Sequence, residues 1–380
     1  MNIYNLADLL TKAAQDTKRT EAYNELTYML EKEPELEAVK ALCKIDASPL
    51  YMALPFQGLA DWLLRHSKSV GSEGALNDLQ RYLNSEHIPY LLVAAIGGVR
   101  ADQQVCLSQD VDIMPYAEFQ SSSPARTYLT GRYEKFREPE QPQAVVIKRC
   151  AFRRKDMSFG THPRFERDFF RDVEDAQLCM TLVGPSAPVL LGNWIEMENW
   201  IPNMSGLGAN LTEPYDVGGF SQVLSHYDWN KVSPIYQKWI TLPEKERKHL
   251  RIALRRLNSA LRKNPSKEEA LTDWAIDLGI ALESIFVPDK MPGELTFTFY
   301  LRAARFFGLD EATRRSTAKV FKALYKLRSS AVHSGSVPTE IKEEKWSTEA
   351  LLRHGSKLAA QAIERMIMEG KPDWEKLIYS

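Results

Sequence analysis

Cysteine is scarce in this chain. There are four in 380 residues, Cys43, Cys106, Cys150 and Cys179, and no two stand at CxxC spacing. Scattered thiols of this kind offer neither a zinc site nor a disulfide framework, so a reducing, cytoplasmic setting is expected. Histidine is also sparse, seven in all, with no HExxH or other close ligand cluster, so no metal or other cofactor is expected. Long hydrophobic runs are missing. The longest, Tyr90–Val99, is too short to span a bilayer, and Met1–Lys18 reads as an amphipathic helix rather than a secretory leader. No membrane partner is therefore expected. The phosphate-cradling GxxxxGK[ST] loop and the GxSxG nucleophile elbow are both absent, which argues against a P-loop nucleotidase and an α/β-hydrolase. Repeats and low-complexity tracts are lacking too.

The composition that remains is ordinary for a globular chain, 44% hydrophobic and 26% charged. The formal net charge of -1 conceals an asymmetry. Residues 235–380 hold 26 Lys and Arg against 19 Asp and Glu, and the rest of the chain holds 23 against 31. A basic module on an acidic body suits a polyanionic partner, although basic helices are also ordinary solvated faces.

Three regions follow from the pattern, an α+β chain overall. Residues 1–86 read as helical, with Leu6, Leu9, Leu10 and Ala13, then Leu26, Met29 and Leu30, then Ala75, Leu79 and Leu83 at helical spacing. Residues 87–230 read as a β-rich middle domain, with strands at Tyr90–Val99, Val105–Met114, Ala144–Phe152 and Val189–Trp200. Residues 235–380 read as an all-α bundle of five helices. Pro243 opens the first and Asn264-Pro265 closes it. Ser266 and Glu269 form a capping box for the second, whose buried stripe is Leu271, Trp274, Leu278, Leu282 and Ile285. The third spans about 294–307. Asp310 caps the fourth, which runs to about Val332 and closes at Gly335, and Ser347 caps the last.

On a helical wheel of the fourth helix, Val320, Phe321, Leu324, Leu327, Ala331 and Val332 share one arc. Arg328 falls inside it, whereas Arg315, Lys319, Lys322 and Lys326 form a separate basic ridge. A guanidinium on an apolar face is costly unless it is paired or set at a wet cleft. His333 would lie about 140° from Arg328 on a straight helix. The two converge only if the helix ends near Val332 and the turn at Gly335 brings the imidazole back. Together they would supply a permanent cation and an acid/base that titrates near neutrality, a combination suited to a phosphate.

The stretches GELTFTFYLRAARFFG and VFKALYKLRSSAVHSG resemble the Apea-like branch of the HEPN superfamily, whose hallmark is an arginine followed a few residues on by a histidine, here Arg328 and His333. DLGIALESIF (Asp277–Phe286) resembles the preceding helix of that branch. The resemblance covers about residues 235–370. It implies a HEPN helical bundle that dimerises and cleaves RNA without metal, with the 2′-hydroxyl attacking the adjacent phosphate. His333 would be the general acid or base and Arg328 the stabiliser of phosphoryl charge. Glu283, offset from the stripe of its helix, would position Arg328 or form a merely structural ion pair. Arg302, Arg305, Lys322 and Lys326 would line an RNA channel or be ordinary solvated faces, and Ser329 and Ser330 are further RNA-contact candidates, with Ser330 and Ser334 otherwise plain helix-end hydroxyls. Ser329 stands where many members have Asn, Asp or His. The same Arg-to-His spacing occurs at Arg81 and His87, which lack the basic ridge and read as a chance match. By analogy the chain would be an anti-phage or toxin-like effector, its acidic N-terminal part answering a phage-derived or protein trigger. The alternative is a catalytically silent HEPN module that binds nucleic acid or nucleotide, or serves as a dimerisation scaffold.

Overall fold

The computed structural model describes residues 7–8, 10–12, 19–36, 56–121, 124–134, 141–153, 170–202, 210–211, 222–224, 226–263, 268–287, 295–341 and 346–379. The chain is α+β, with an antiparallel sheet in the middle and a set of helices at the C-terminal end. No described helix is long and apolar enough to cross a membrane.

The described helices before the sheet include α1 (Arg19–Lys32) and α2 (Phe56–Asn84). Gly71 interrupts α2 at φ 80°, a left-handed value that glycine adopts without steric cost. Leu26, Leu30, Leu59, Leu63, Leu76 and Leu79 join these helices in an apolar cluster of their own.

Among the described residues the sheet has six strands, in the order β3 (Val105–Cys106), β4 (Val111–Pro115), β5 (Ala144–Arg153), β1 (His87–Gly97), β6 (Val189–Met197) and β7 (Asn210–Leu211). Strand β1 is central. It pairs antiparallel with β5 from His87↔Arg153 to Ile96↔Ala144, and with β6 across a register shift at Ala95/Ile96. The run read as one strand from Val105 to Met114 is two, because Leu107–Asp110 turns between β3 and β4. Both faces of β1 are buried, which explains its unbroken apolar run. Val93 and Ala95 pack with Leu129 and Tyr133 of α3 (Pro124–Tyr133). Leu92, Ala94 and Ile96 pack with Val173, Ala176 and Met180 of α4 (Arg171–Met180). Neither helix stood out in the sequence of the middle region. A short parallel pair, β2 (Val99–Ala101) with β8 (Gln222–Leu224), flanks the sheet.

The C-terminal helices are α5 (His226–Thr241), α6 (Glu244–Leu261), α7 (Glu268–Phe286), α8 (Leu295–Phe307), α9 (Glu311–Ser334), α10 (Thr348–Glu369) and α11 (Trp374–Tyr379), with a two-strand pair, β9 (Glu340–Ile341) and β10 (Trp346–Ser347), between α9 and α10. Asp310 caps α9 by accepting from the Thr313 amide at 2.8 Å, and Ser347 caps α10 by accepting from Ala350 at 3.2 Å. Ser266, expected to cap α7, lies outside the described residues. Of the stripe expected on α7, Trp274, Leu278, Leu282 and Ile285 are fully buried and Leu271 is half-buried.

One apolar cluster runs from the inner face of the sheet through α4 into these helices. At the join, Arg251 of α6 grips Asp175 of α4 with two hydrogen bonds, Nε to Oδ1 at 2.7 Å and Nη2 to Oδ2 at 2.8 Å. Trp239 of α5 donates its indole N–H to the same carboxylate at 2.8 Å. Asn258 of α6 donates to Thr181 and to the Pro188 carbonyl.

Candidate functional site

Helix α9 carries the site, and its neighbours set its rotation. Val320, Phe321, Leu324, Leu327 and Ala331 are buried as their spacing predicts; Val332, near the helix end, is exposed. Phe286 at the end of α7 lies edge-on to Phe299 and Phe306 of α8, Phe321 of α9 and Trp374 of α11. This aromatic cage fixes where α7 meets α9.

Arg328 leans from α9 across α7. Its side chain is 27% exposed, and its Nη2 donates to Glu283 Oε2 at 3.3 Å. Its Nε–H is buried without a hydrogen-bond partner among the described residues. One weak hydrogen bond leaves donor capacity on the guanidinium fork, which matches the geometry of a phosphate or carboxylate. The Glu283 carboxyl is raised above its ordinary range by burial, and Arg328 pulls it part of the way back.

Gly279 makes this contact possible. A Cβ at that position would overlap Arg328 Cγ and stand 2.9 Å from Arg328 Cβ. Glycine in a helix interior costs roughly 1 kcal/mol relative to alanine, and here the missing side chain is the slot in which the arginine stem lies. Gly279 is not among the residues that the sequence pattern singles out. The available signal was an isolated glycine inside a strongly helical pattern, which commonly has a packing reason.

His333 is placed differently from the expectation. Helix α9 does not end near Val332 but continues through Ser334, and Gly335 caps it at φ 68°. His333 is therefore still helical, about 140° around the axis from Arg328, exposed, and without a hydrogen-bond partner among the described residues. On the same wheel it falls within about 40° of Arg315, Lys319, Lys322 and Lys326. All four are exposed, with Arg315 paired to Glu311. The imidazole thus terminates the cationic ridge, while Arg328 points inward to α7. Within one chain the two groups do not converge.

The remaining candidates divide. Ser330 and Ser334 share a hydrogen bond at 3.3 Å and bind the backbone at the end of α9, the behaviour of hydroxyls at a helix terminus. Ser329 is half-buried, as is Arg305. Arg302 is 3% exposed, donates to the Phe286 carbonyl at 2.8 Å and lies over the Trp374 ring at 5.1 Å. It closes the end of α7 and does not line a channel, because its guanidinium is committed to the core. Arg81 stacks on Trp200 at 3.9 Å and His87 opens β1, so that pair forms no site of its own.

Among the described residues no group of acidic, histidine or cysteine side chains is arranged to hold a metal ion. No family model, curated protein or solved structure matches the chain.

Proposed function

We propose that this protein is a metal-independent endoribonuclease whose site is assembled between two copies of the chain. The observation that carries the reading is His333, an exposed imidazole at the end of a line of four cations, on a helix that separately presents a half-buried guanidinium with donors to spare. The ridge suits the backbone of an RNA strand. His333 takes the proton from the 2′-hydroxyl or gives one to the leaving 5′-oxygen. Arg328 neutralises charge on the phosphoryl oxygens. The bond formed is 2′-oxygen to phosphorus and the bond broken is phosphorus to 5′-oxygen, which yields a 2′,3′-cyclic phosphate and a 5′-hydroxyl. Because the two groups diverge on one chain, Arg328 of one copy works with His333 of the other. The resemblance to Apea-like HEPN proteins supports this reading, as well as a cytoplasmic effector role with a trigger sensed by the acidic N-terminal part.

The divergence of Arg328 and His333 favours a second reading, a HEPN-like module that binds nucleic acid without cutting it. One experiment separates the two. Labelled RNA is incubated in EDTA with wild type, Arg328→Ala, His333→Ala and an equimolar mixture of the two variants. Cleavage by wild type, a fall of about a hundredfold or more in each variant, and recovery to about a quarter of the wild-type rate in the mixture are expected for two-fold composite sites. Recovery requires one intact pair per mixed dimer. RNA binding without cleavage by wild type favours the second reading or an effector still awaiting its trigger, and cleavage that survives both substitutions moves the chemistry elsewhere.

A further inference from the structure

We propose that Gly279 is a positioning residue for the Arg328 guanidinium, an inference that rests on the reading of Arg328 as the phosphate-binding cation. Helix α7 offers two features one turn apart on the same face: the bare backbone at Gly279 and the carboxylate of Glu283. The Cβ and Cγ of Arg328 occupy the first, and its Nη2 reaches the second at 3.3 Å. The slot sets the height of the stem above α7, and Glu283 sets the direction of the fork. Any side chain at 279 lifts the stem away from α7, and the fork leaves Glu283 with it.

Gly355 provides the contrast. It sits on α10 against both α9 and α7, where an added Cβ would stand 2.8 Å from both terminal methyls of Leu324 and 3.1 Å from a methyl of Leu278. A methyl group there disturbs packing against both helices without meeting Arg328. A merely structural requirement for close helix approach would make the two glycines equivalent.

Gly279→Ala and Gly355→Ala are therefore compared with wild type and with Arg328→Ala in two measurements. The first is RNA cleavage in EDTA per folded molecule. Gly279→Ala is expected to lose about a hundredfold in kcat, as misplacement of a catalytic group by an ångström does, whereas Gly355→Ala stays close to wild type. The second is the carboxyl titration of Glu283 by carbon-13 NMR, which needs no substrate. Its midpoint is expected to rise in Gly279→Ala as it does in Arg328→Ala, and to stay in place in Gly355→Ala. An unmoved Glu283 midpoint in Gly279→Ala, or wild-type cleavage by it, overturns the proposal. If wild type cuts no RNA, the cleavage comparison is silent and the titration alone decides whether Gly279 positions Arg328. Should Gly279→Ala unfold, it is remade with Arg328→Ala. Folding regained in the double variant upholds the contact, and unfolding in both backgrounds refutes it.

Discussion

Arg302 and Arg328 lie on neighbouring helices, carry the same charge and have opposite surroundings. Arg302 is sealed beneath Trp374 with a carbonyl for a partner; Arg328 keeps part of its surface and has a carboxylate. Arg302→Ala should therefore cost stability and leave RNA binding alone. The lost hydrogen bond and ring contact amount to about 2 kcal/mol, read as a shift in denaturant midpoint, with an unchanged salt dependence of RNA affinity. Glu283 differs from ordinary surface carboxylates in the opposite sense from an N-capping acid. Because burial raises its pKa in the fold, its ionised form opposes folding. Stability from this group is complete below the unfolded pKa and is lost as pH rises through the folded one. On mild acidification Glu283 takes up its proton before unperturbed glutamates do, and Arg328 is released from its ion pair. Removing Arg328 takes away the opposing charge, so the Glu283 midpoint in Arg328→Ala should lie higher than in wild type.

At the scale of elements, α9 is both a wall of the core and a charged track. Replacing Lys319, Lys322 and Lys326 with glutamine touches none of its buried residues. The expected result is an unchanged melting temperature and a shallower salt dependence of RNA binding, by about one unit of log–log slope for each phosphate contact removed. An unaltered slope would show that nucleic acid approaches another face. Helices α6 to α10 were legible in the sequence because their apolar spacing, the caps at Asp310 and Ser347 and the stop at Gly335 are local signals, whereas α5, which begins inside the stretch read as β-rich, and α11 were not. Helix α4 was not legible. Its segment RDVEDAQLCM looks polar, yet Asp175 and Gln177 are buried. The partner of Asp175, Arg251, comes from a distant part of the chain, and that of Gln177 is the Pro188 carbonyl across the turn that follows the helix. The fate of His333 hung on two residues of helix length, finer than a cap signal resolves. The burial of Arg302 depended on a carbonyl that only the folded bundle brings near.

For the whole molecule, the joint between sheet and helices rests on Asp175. The residue is 1% exposed and receives hydrogen bonds from both Arg251 and Trp239. Asp175→Ala takes from the buried Arg251 guanidinium the carboxylate that holds two of its nitrogens and leaves it Glu244 at 3.2 Å, a loss of about 3 kcal/mol, and sheet and C-terminal helices should then unfold at lower denaturant in a single shared transition. Separate transitions would mean that the apolar continuity between them is not cooperative. The same joint governs how pieces of this protein behave. Along α6, Arg251, Arg255 and Asn258 follow one another at helical spacing, and each bonds to a residue of α4 or the segment just after it. A fragment cut to begin near residue 235 would bare that seam and the greasy surface beside it. Such a fragment would be prone to stick to itself there, so a dimer seen only in the truncated piece would report the scissors rather than the native assembly.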